Sequence, residues 1–248
     1  MSTQTIIVYI EEDQLKAQKI NNYSLYLAKK VNSTFTVIWL LKPPLSTPGQ
    51  PAYQYKNTFD ITNNSYMVNF TTTPLQEGDI IFTSGGKNLP INIGQTTILD
   101  IYGVFSPAQN GGVTGDVLIN NQLPAEPRAI LLDSTGCSLW VSESGMGTSP
   151  MTMTPKNEFQ LWFGSAQAAG SLIPYSVSNA RVTNVSSSNA YVVTVNDGDT
   201  QTVTYTNSGT WVLGPPVMRL TTEEVVELHV RVNEAVMRAA LTARRTSH

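Results

Sequence analysis

The feature that most limits the fold of this chain is a succession of short β-prone runs. Residues that favour turns separate these runs from one another. The runs recur at spacings of about ten residues between Ile6 and Thr206, which is typical of β-sandwiches and barrels. We therefore expect a mainly β protein. It would consist of two β-rich halves, as an antiparallel sandwich or an open barrel, plus one C-terminal amphipathic helix.

Three pairs of runs carry hairpin signals. They are residues 23–31 with 35–41, residues 128–132 with 138–141, and residues 189–195 with 200–206. The third pair encloses Asn196-Asp197-Gly198-Asp199, whose Asp-Gly step supplies the positive φ of a type I′ turn. We predict that these two runs pair directly with each other.

Two segments are expected to be loops rather than strands. Residues 42–51 contain four prolines and a glycine, so they cannot join a central strand. Residues 106–115 are rich in glycine and give the best interior linker. This predicts domains at 1–105 and 116–216, followed by the helix at 221–245; a single domain remains the alternative.

The C-terminal helix has clear start and stop signals. Thr221 and Glu224 have the spacing of a capping box. Acidic residues occupy the first turns and arginines the last, which complements the helix dipole. Glu227 with Arg231, and Glu234 with Arg238, are i,i+4 pairs in the favourable orientation.

The apolar arc of this helix covers more than half of its circumference and includes His229 and Asn233. One sheet cannot cover so wide an arc, and soluble monomers seldom leave the remainder exposed. We therefore predict a homo-oligomer whose contact includes Val232, Asn233, Val236 and Met237. The alternative is that the whole arc is buried within its own chain, between the two β halves.

Composition argues against several partners. Charged residues are 13% of the chain and the net charge is −3, so no basic surface for nucleic acid is expected. No apolar stretch is long enough for a transmembrane helix. The N-terminus lacks the features of a signal peptide, which predicts a cytoplasmic location or release without such a signal. The one cysteine, Cys137, cannot form an intrachain disulfide.

The sequence contains few residues of the types that usually act in catalysis. Of the two histidines, His248 is the last residue, so His229 is the one imidazole expected in an ordered position. Histidine and cysteine are too few for a zinc site, and the aspartates sit in turn contexts. We predict no catalytic residues, no metal and no cofactor. A candidate ligand site is Tyr53, Gln54 and Tyr55, where two tyrosines flank a glutamine beside the Pro-rich loop.

These observations favour a non-enzymatic β-scaffold binding protein that self-associates and presents its loops to a glycan, as in lectins, or to another protein. The general composition is similar to that of leaderless β-rich lectins, cytolytic toxins and viral structural proteins, and no family motif is matched. The first alternative is a membrane-active, pore-forming protein, which the Ser/Thr-rich runs from Val182 to Thr206 suggest. The second is a small-molecule enzyme with a cavity between the β halves.

Overall fold

The structure is a computed structural model, and it describes residues 3–62, 65–76, 78–124, 126–148, 150–173 and 190–246. The prediction of a mainly β protein is confirmed, because strand residues outnumber helical residues more than twofold in these ranges. The strands are β1 (Thr3–Ile10), β2 (Ser24–Val31), β3 (Leu40–Lys42), β4 (Lys56–Thr62), β5 (Tyr66–Thr71), β6 (Leu89–Ile91), β7 (Gln95–Leu99), β8 (Gln109–Asn110), β9 (Val117–Asn121), β10 (Arg128–Asp133), β11 (Ser138–Val141), β12 (Met151–Met153), β13 (Pro155–Gly164), β14 (Ala190–Thr194), β15 (Thr200–Tyr205) and β16 (Trp211–Leu213). The helices are α1 (Glu12–Ile20) and α2 (Thr222–Thr246).

The described strands form four open sheets of four strands each. Their orders are β16-β15-β1-β4, β14-β13-β2-β3, β11-β10-β5-β6 and β12-β9-β7-β8. Each sheet combines two strands that precede residue 111 with two that follow residue 116. The Gly-rich segment 106–115 therefore connects two halves that share every sheet, and the chain does not divide into separate sheets at this point.

The predicted direct pairing of residues 189–195 with 200–206 is wrong. β14 pairs with β13, whereas β15 pairs in parallel with β1, from Thr5 opposite Thr200 to Ile10 opposite Tyr205. The turn between them does form, with Asp199 N–H donating to Asn196 O at 3.0 Å. It reverses the chain locally, but the two strands then enter different sheets. A second parallel pair, β7 with β9, also departs from the antiparallel expectation.

The other two hairpins are present. β10 and β11 pair across the predicted turn, where Asp133 Oδ1 accepts hydrogen bonds from Thr135 N–H at 2.8 Å and Cys137 N–H at 3.0 Å. β2 pairs with β3, but β3 begins only at Leu40. The preceding residues Phe35 and Ile38 instead pack with Tyr26 and Trp162 in a small apolar cluster.

One apolar core joins all four sheets and reaches α2 through Leu228 and Val232, which are buried. Helix α1, which the sequence patterns did not predict, buries Leu15 in this core and lies against α2. The capping box of α2 is confirmed: Thr221 N–H donates to Glu224 Oε2 at 2.7 Å, and Glu224 N–H donates to Thr221 Oγ1 at 3.3 Å.

Of the predicted loop 42–51, Lys42 belongs to β3. The Pro-rich segment 43–51 is a loop, and its residues from Leu45 to Pro51 are exposed. Neither helix in the described part of the chain is long and apolar enough to cross a membrane.

Candidate functional site

The most promising site is a cleft of about 220 Å³ between the Pro-rich loop and helix α2. It brings together residues that are far apart in the sequence. From the loop side the lining consists of Pro44, Leu45, Ser46, Ala52 and Gln54, and from the two helices it consists of Lys19, His229, Val232 and Asn233. The cleft therefore joins part of the predicted ligand site to part of the predicted oligomer contact.

Lys19 fixes the loop at the base of this cleft. Its Nζ donates a hydrogen bond to Pro44 O at 2.7 Å and lies 5.0 Å from the centroid of the Tyr53 ring. Both contacts suit a cation that is partly shielded from water. Burial lowers the pKa of Lys19. The lysine thus supplies the charged side chain of the cleft lining.

Tyr53 and Tyr55 share one face of an extended segment, as the sequence alternation predicts, but that face points into the core. Tyr53 is fully buried and its hydroxyl donates to Tyr23 O at 3.0 Å. Tyr55 is 5% exposed and packs edge-on against Tyr9. The expectation that both rings offer open faces to a flat ligand does not agree with this burial. Neither ring is among the described residues that line the cleft.

Gln54, between the two tyrosines, points outward into the cleft. Its backbone is held by Asn57, whose Oδ1 accepts from Gln54 N–H at 2.8 Å and whose Nδ2 donates to Gln54 O at 2.7 Å. Its side chain is left without a hydrogen-bond partner among the described residues, and so is that of Asn233 across the cleft. Each amide offers two donors and an acceptor to a ligand.

His229 closes the side of the cleft next to the buried face of α2. Its Nε2 accepts a long hydrogen bond, 3.5 Å, from Tyr55 N–H, so this nitrogen carries no proton in that arrangement. Burial first and the positive charge of Lys19 second lower the pKa of His229. Both effects favour the neutral imidazole at physiological pH.

The chemistry of this cleft is that of polar recognition. It combines two free amides, a neutral imidazole and one ammonium group, and its lining contains no carboxylate. The volume corresponds to one small polar group rather than to a drug-sized ligand, for which pockets of about 300–1,000 Å³ are typical.

A second cavity, of about 250 Å³, lies beside Thr36, Arg128 and Ser142. Two of its polar side chains, Arg128 and Thr36, are already hydrogen-bonded within the protein. Arg128 Nη1 donates to Ser142 O at 3.1 Å and also to Glu143 O, and Thr36 Oγ1 donates to Val141 O and accepts from Val141 N–H, each at 2.9 Å. Polar groups that already form hydrogen bonds within the protein are less available to a ligand. We therefore prefer the cleft beside α2 as the candidate ligand site.

The predicted oligomer residues are divided between two sides of α2. Val232 is 1% exposed and lies in the core of its own chain, so it cannot contribute to a contact with another copy. Val236 is half-buried against the same core. Asn233 and Met237 are exposed. The predicted contact residues that a second copy could reach, Asn233 and Met237, therefore lie on the outer side of the helix.

Two polar residues of the cleft lining, Lys19 and Ser46, were missed by sequence reasoning. Lys19 belongs to the short helix α1, whose acidic first turn and basic last turn were the available signal. Across the ranges that the structure describes, no three His, Cys, Asp or Glu side chains are grouped as metal ligands.

Comparisons of this chain with protein-family models, with curated proteins and with solved structures found no match.

Proposed function

We propose that this protein is a non-enzymatic binding protein that takes one sugar residue of a glycan into the cleft between the Pro-rich loop and α2. The observation that carries the proposal is the pair of unpartnered amides, Gln54 and Asn233, on opposite walls of a small polar cleft. Asparagine and glutamine amides match the alternating donors and acceptors of sugar hydroxyl groups. The fixed backbone of Gln54 supplies the preorganisation that reduces the cost of binding.

The charge of the lining refines the ligand class. Lys19 is cationic, and no carboxylate faces it from the cleft lining. A sugar that carries a carboxylate, such as a hexuronic acid, should therefore bind more tightly than a neutral hexose of the same size. Single-residue recognition of this kind is weak, with dissociation constants on the order of millimolar.

A nuclear magnetic resonance titration of the ¹⁵N-labelled chain tests the proposal, with neutral hexoses and hexuronic acids as probes. We expect shifts of the Gln54 and Asn233 side-chain amides. Gln54→Ala should weaken binding about three- to tenfold, the value of one lost hydrogen bond. Gln50→Ala is the matched control, because Gln50 is exposed on the same loop but does not line the cleft. If no sugar at high concentration changes the chemical shifts of the cleft amides, the proposal is wrong.

A second candidate function, attachment to a membrane surface, is favoured by the loop between β7 and β8. Its apolar residues Ile101, Tyr102 and Val104 are 57%, 82% and 60% exposed. The loop is nevertheless ordered, because Asp100 Oδ1 accepts hydrogen bonds from Tyr102 N–H and Val104 N–H, both at 2.9 Å. An ordered apolar tip with a tyrosine is suited to the interfacial region of a bilayer.

Sedimentation with phospholipid vesicles distinguishes the two functions. Attachment through the loop requires that the wild type co-sediments and that Tyr102→Ser reduces the bound fraction, while Gln54→Ala leaves it unchanged. Part of the Ser/Thr-rich segment that first suggested membrane activity, residues 182–189, lies outside the described residues. The loop therefore carries this candidate on its own.

A further inference from the structure

The outer side of α2 carries a continuous apolar stripe. We call it the outer stripe and define it by Val226, Val230, Asn233, Met237 and Leu241, which are spaced four, three, four and four residues apart. Residues at this spacing lie on one face of a helix. Its four apolar members are 59%, 53%, 66% and 56% exposed. Such a row of large exposed side chains is unusual on a monomer.

The residues that the structure describes leave this stripe exposed. Leu228 and Val232 dock α2 on the core from another side, and Arg231 binds Glu12 of α1. Beyond that region the helix leaves the body: every residue from Ala240 to Arg244 is exposed. A helical end without tertiary contacts is only marginally stable in water. Packing of a second helix along the outer stripe would stabilise this end.

Charge along α2 identifies that second helix and its direction. Up to Asn233 the helix carries Glu223, Glu224, Glu227 and Arg231, a net charge of −2, and beyond it Glu234, Arg238, Arg244 and Arg245, a net charge of +2. An antiparallel copy of α2 places the acidic half of one helix beside the basic half of the other, and it also opposes the two helix dipoles. A parallel copy would place like charges together.

We propose that the protein forms an antiparallel, two-fold symmetric homodimer through the outer stripe. The two-fold axis passes near Asn233, so that Val226 faces Leu241 of the partner subunit and Val230 faces Met237 of the partner subunit. Each apolar side chain then meets another, and the single polar residue meets its own copy. A polar residue in such a position fixes the register of two helices. The seam from residue 226 to 241 is about 22 Å long, so this is a small interface with a dissociation constant on the order of micromolar.

Cysteine cross-linking of the full chain tests the direction. In a Cys137→Ser background, Asn233→Cys should form a disulfide-linked dimer under mild oxidation, because the two-fold axis brings this residue close to its own copy. Val226→Cys and Leu241→Cys should each form no intermolecular disulfide alone and should cross-link to each other when mixed. If Val226→Cys links to itself and the mixture gives no additional product, the helices are parallel and the proposal is wrong.

Charge reversal tests the same pairing without cysteines. Arg244→Glu should weaken the dimer, measured by analytical ultracentrifugation, and the double variant Glu223→Arg with Arg244→Glu should restore it. Within one helix these residues are about 32 Å apart, so the rescue can come only from a second chain. In a parallel dimer, Arg244→Glu would relieve repulsion and strengthen the association, which would contradict the proposal.

Val230→Asp should raise the dissociation constant at least about tenfold, since it removes a buried valine from each of the two copies. Val113→Asp is the matched control: this valine is 57% exposed in the loop before β9, so its substitution should leave the dimer unchanged. A wild type that stays monomeric at about 100 µM, well above the expected dissociation constant, overturns the proposal. Asn233 also lines the cleft, so the dimer occupies an amide that the ligand proposal uses, and a bound sugar should weaken the dimer. None of these measurements contains a sugar, so they test the dimer alone.

Discussion

Arg231 of the last helix binds Glu12 of the first helix through two parallel hydrogen bonds, from Nε to Oε1 at 3.0 Å and from Nη2 to Oε2 at 2.9 Å. The pair fixes the rotation of α2 about its own axis, and with it the division of the helix into a docked side and an outer side. The guanidinium is half exposed, and exposed ion pairs contribute little to stability. Its role is therefore to orient α2, whereas the buried apolar side chains hold it in place.

Two leucines on α2 separate docking from association. Leu228 is fully buried and Leu241 is 56% exposed. Leu228→Ala should lower the free energy of unfolding by about 2–5 kcal/mol because it leaves a cavity in the core. Leu241→Ala should change it by less than about 0.5 kcal/mol. Urea unfolding at low protein concentration, where association does not contribute, measures both; equal effects would mean that α2 does not dock as described.

Gly145 is predicted to tolerate no side chain. A methyl group at this position would overlap the carbonyl oxygen of Glu126, which belongs to the backbone and cannot move away easily. Gly145→Ala should cost about 1–3 kcal/mol through this overlap. Gly147→Ala is the control, because the space around Gly147 is open. Thermal unfolding of the two variants should show a lowered midpoint for Gly145→Ala alone.

The stability of the protein should fall in mildly acidic solution through His229. Burial and Lys19 lower its pKa in the folded chain, so the unfolded chain binds more protons between that value and the ordinary value of about 6.5. The contribution of His229 to stability is therefore complete above about pH 7 and is lost as the pH falls through this window. Urea unfolding should be followed from about pH 7.5 to about pH 5, on both sides of the ordinary pKa. The free energy of unfolding should fall less for His229→Gln than for the wild type over this interval. His248→Gln is the control and should behave as the wild type.

Lys29 should make the protein more stable in mildly alkaline solution. This lysine is 1% exposed, its Nζ lies 4.8 Å from the centroid of the Phe159 ring, and burial lowers its pKa to about 7, against a smaller opposing effect of Asp197. Its ordinary pKa is about 10.4, so the unfolded chain binds the additional proton between these values. Stability should therefore rise with pH across this interval.

The rise of stability with pH should be absent in Lys29→Met and preserved in Lys30→Met. In the wild type, Lys30 lies on the other face of the strand and forms an ion pair with Glu158 at 2.7 Å. The comparison is best limited to pH values below about 9.5, because tyrosines ionise near pH 10. Equal slopes for Lys29→Met and the wild type would show that Lys29 is not held in the environment described.

The cleft could be anticipated only in part. Gln54 was singled out because it lies between two tyrosines, and Asn233 because it interrupts an apolar arc. Their meeting depends on Lys19 of α1, which holds Pro44 by a hydrogen bond of 2.7 Å and brings the loop against α2. That contact joins residues from separate elements, and no local pattern encodes it.

The sequence by itself determined the local features of this protein: the β-rich runs, the exposed Pro-rich loop, the turn at Asp133, and the capped amphipathic helix with its unusually wide apolar arc. Each of these depends on neighbouring residues, through side-chain alternation, fixed φ angles or i,i+4 contacts. Only the tertiary structure decided which strands pair. β15 leaves its neighbour β14 and joins β1 from the opposite end of the chain. The tertiary structure also decided which side of α2 faces the core. Long-range partners are selected by the total burial of the assembled core, a property that no short segment contains.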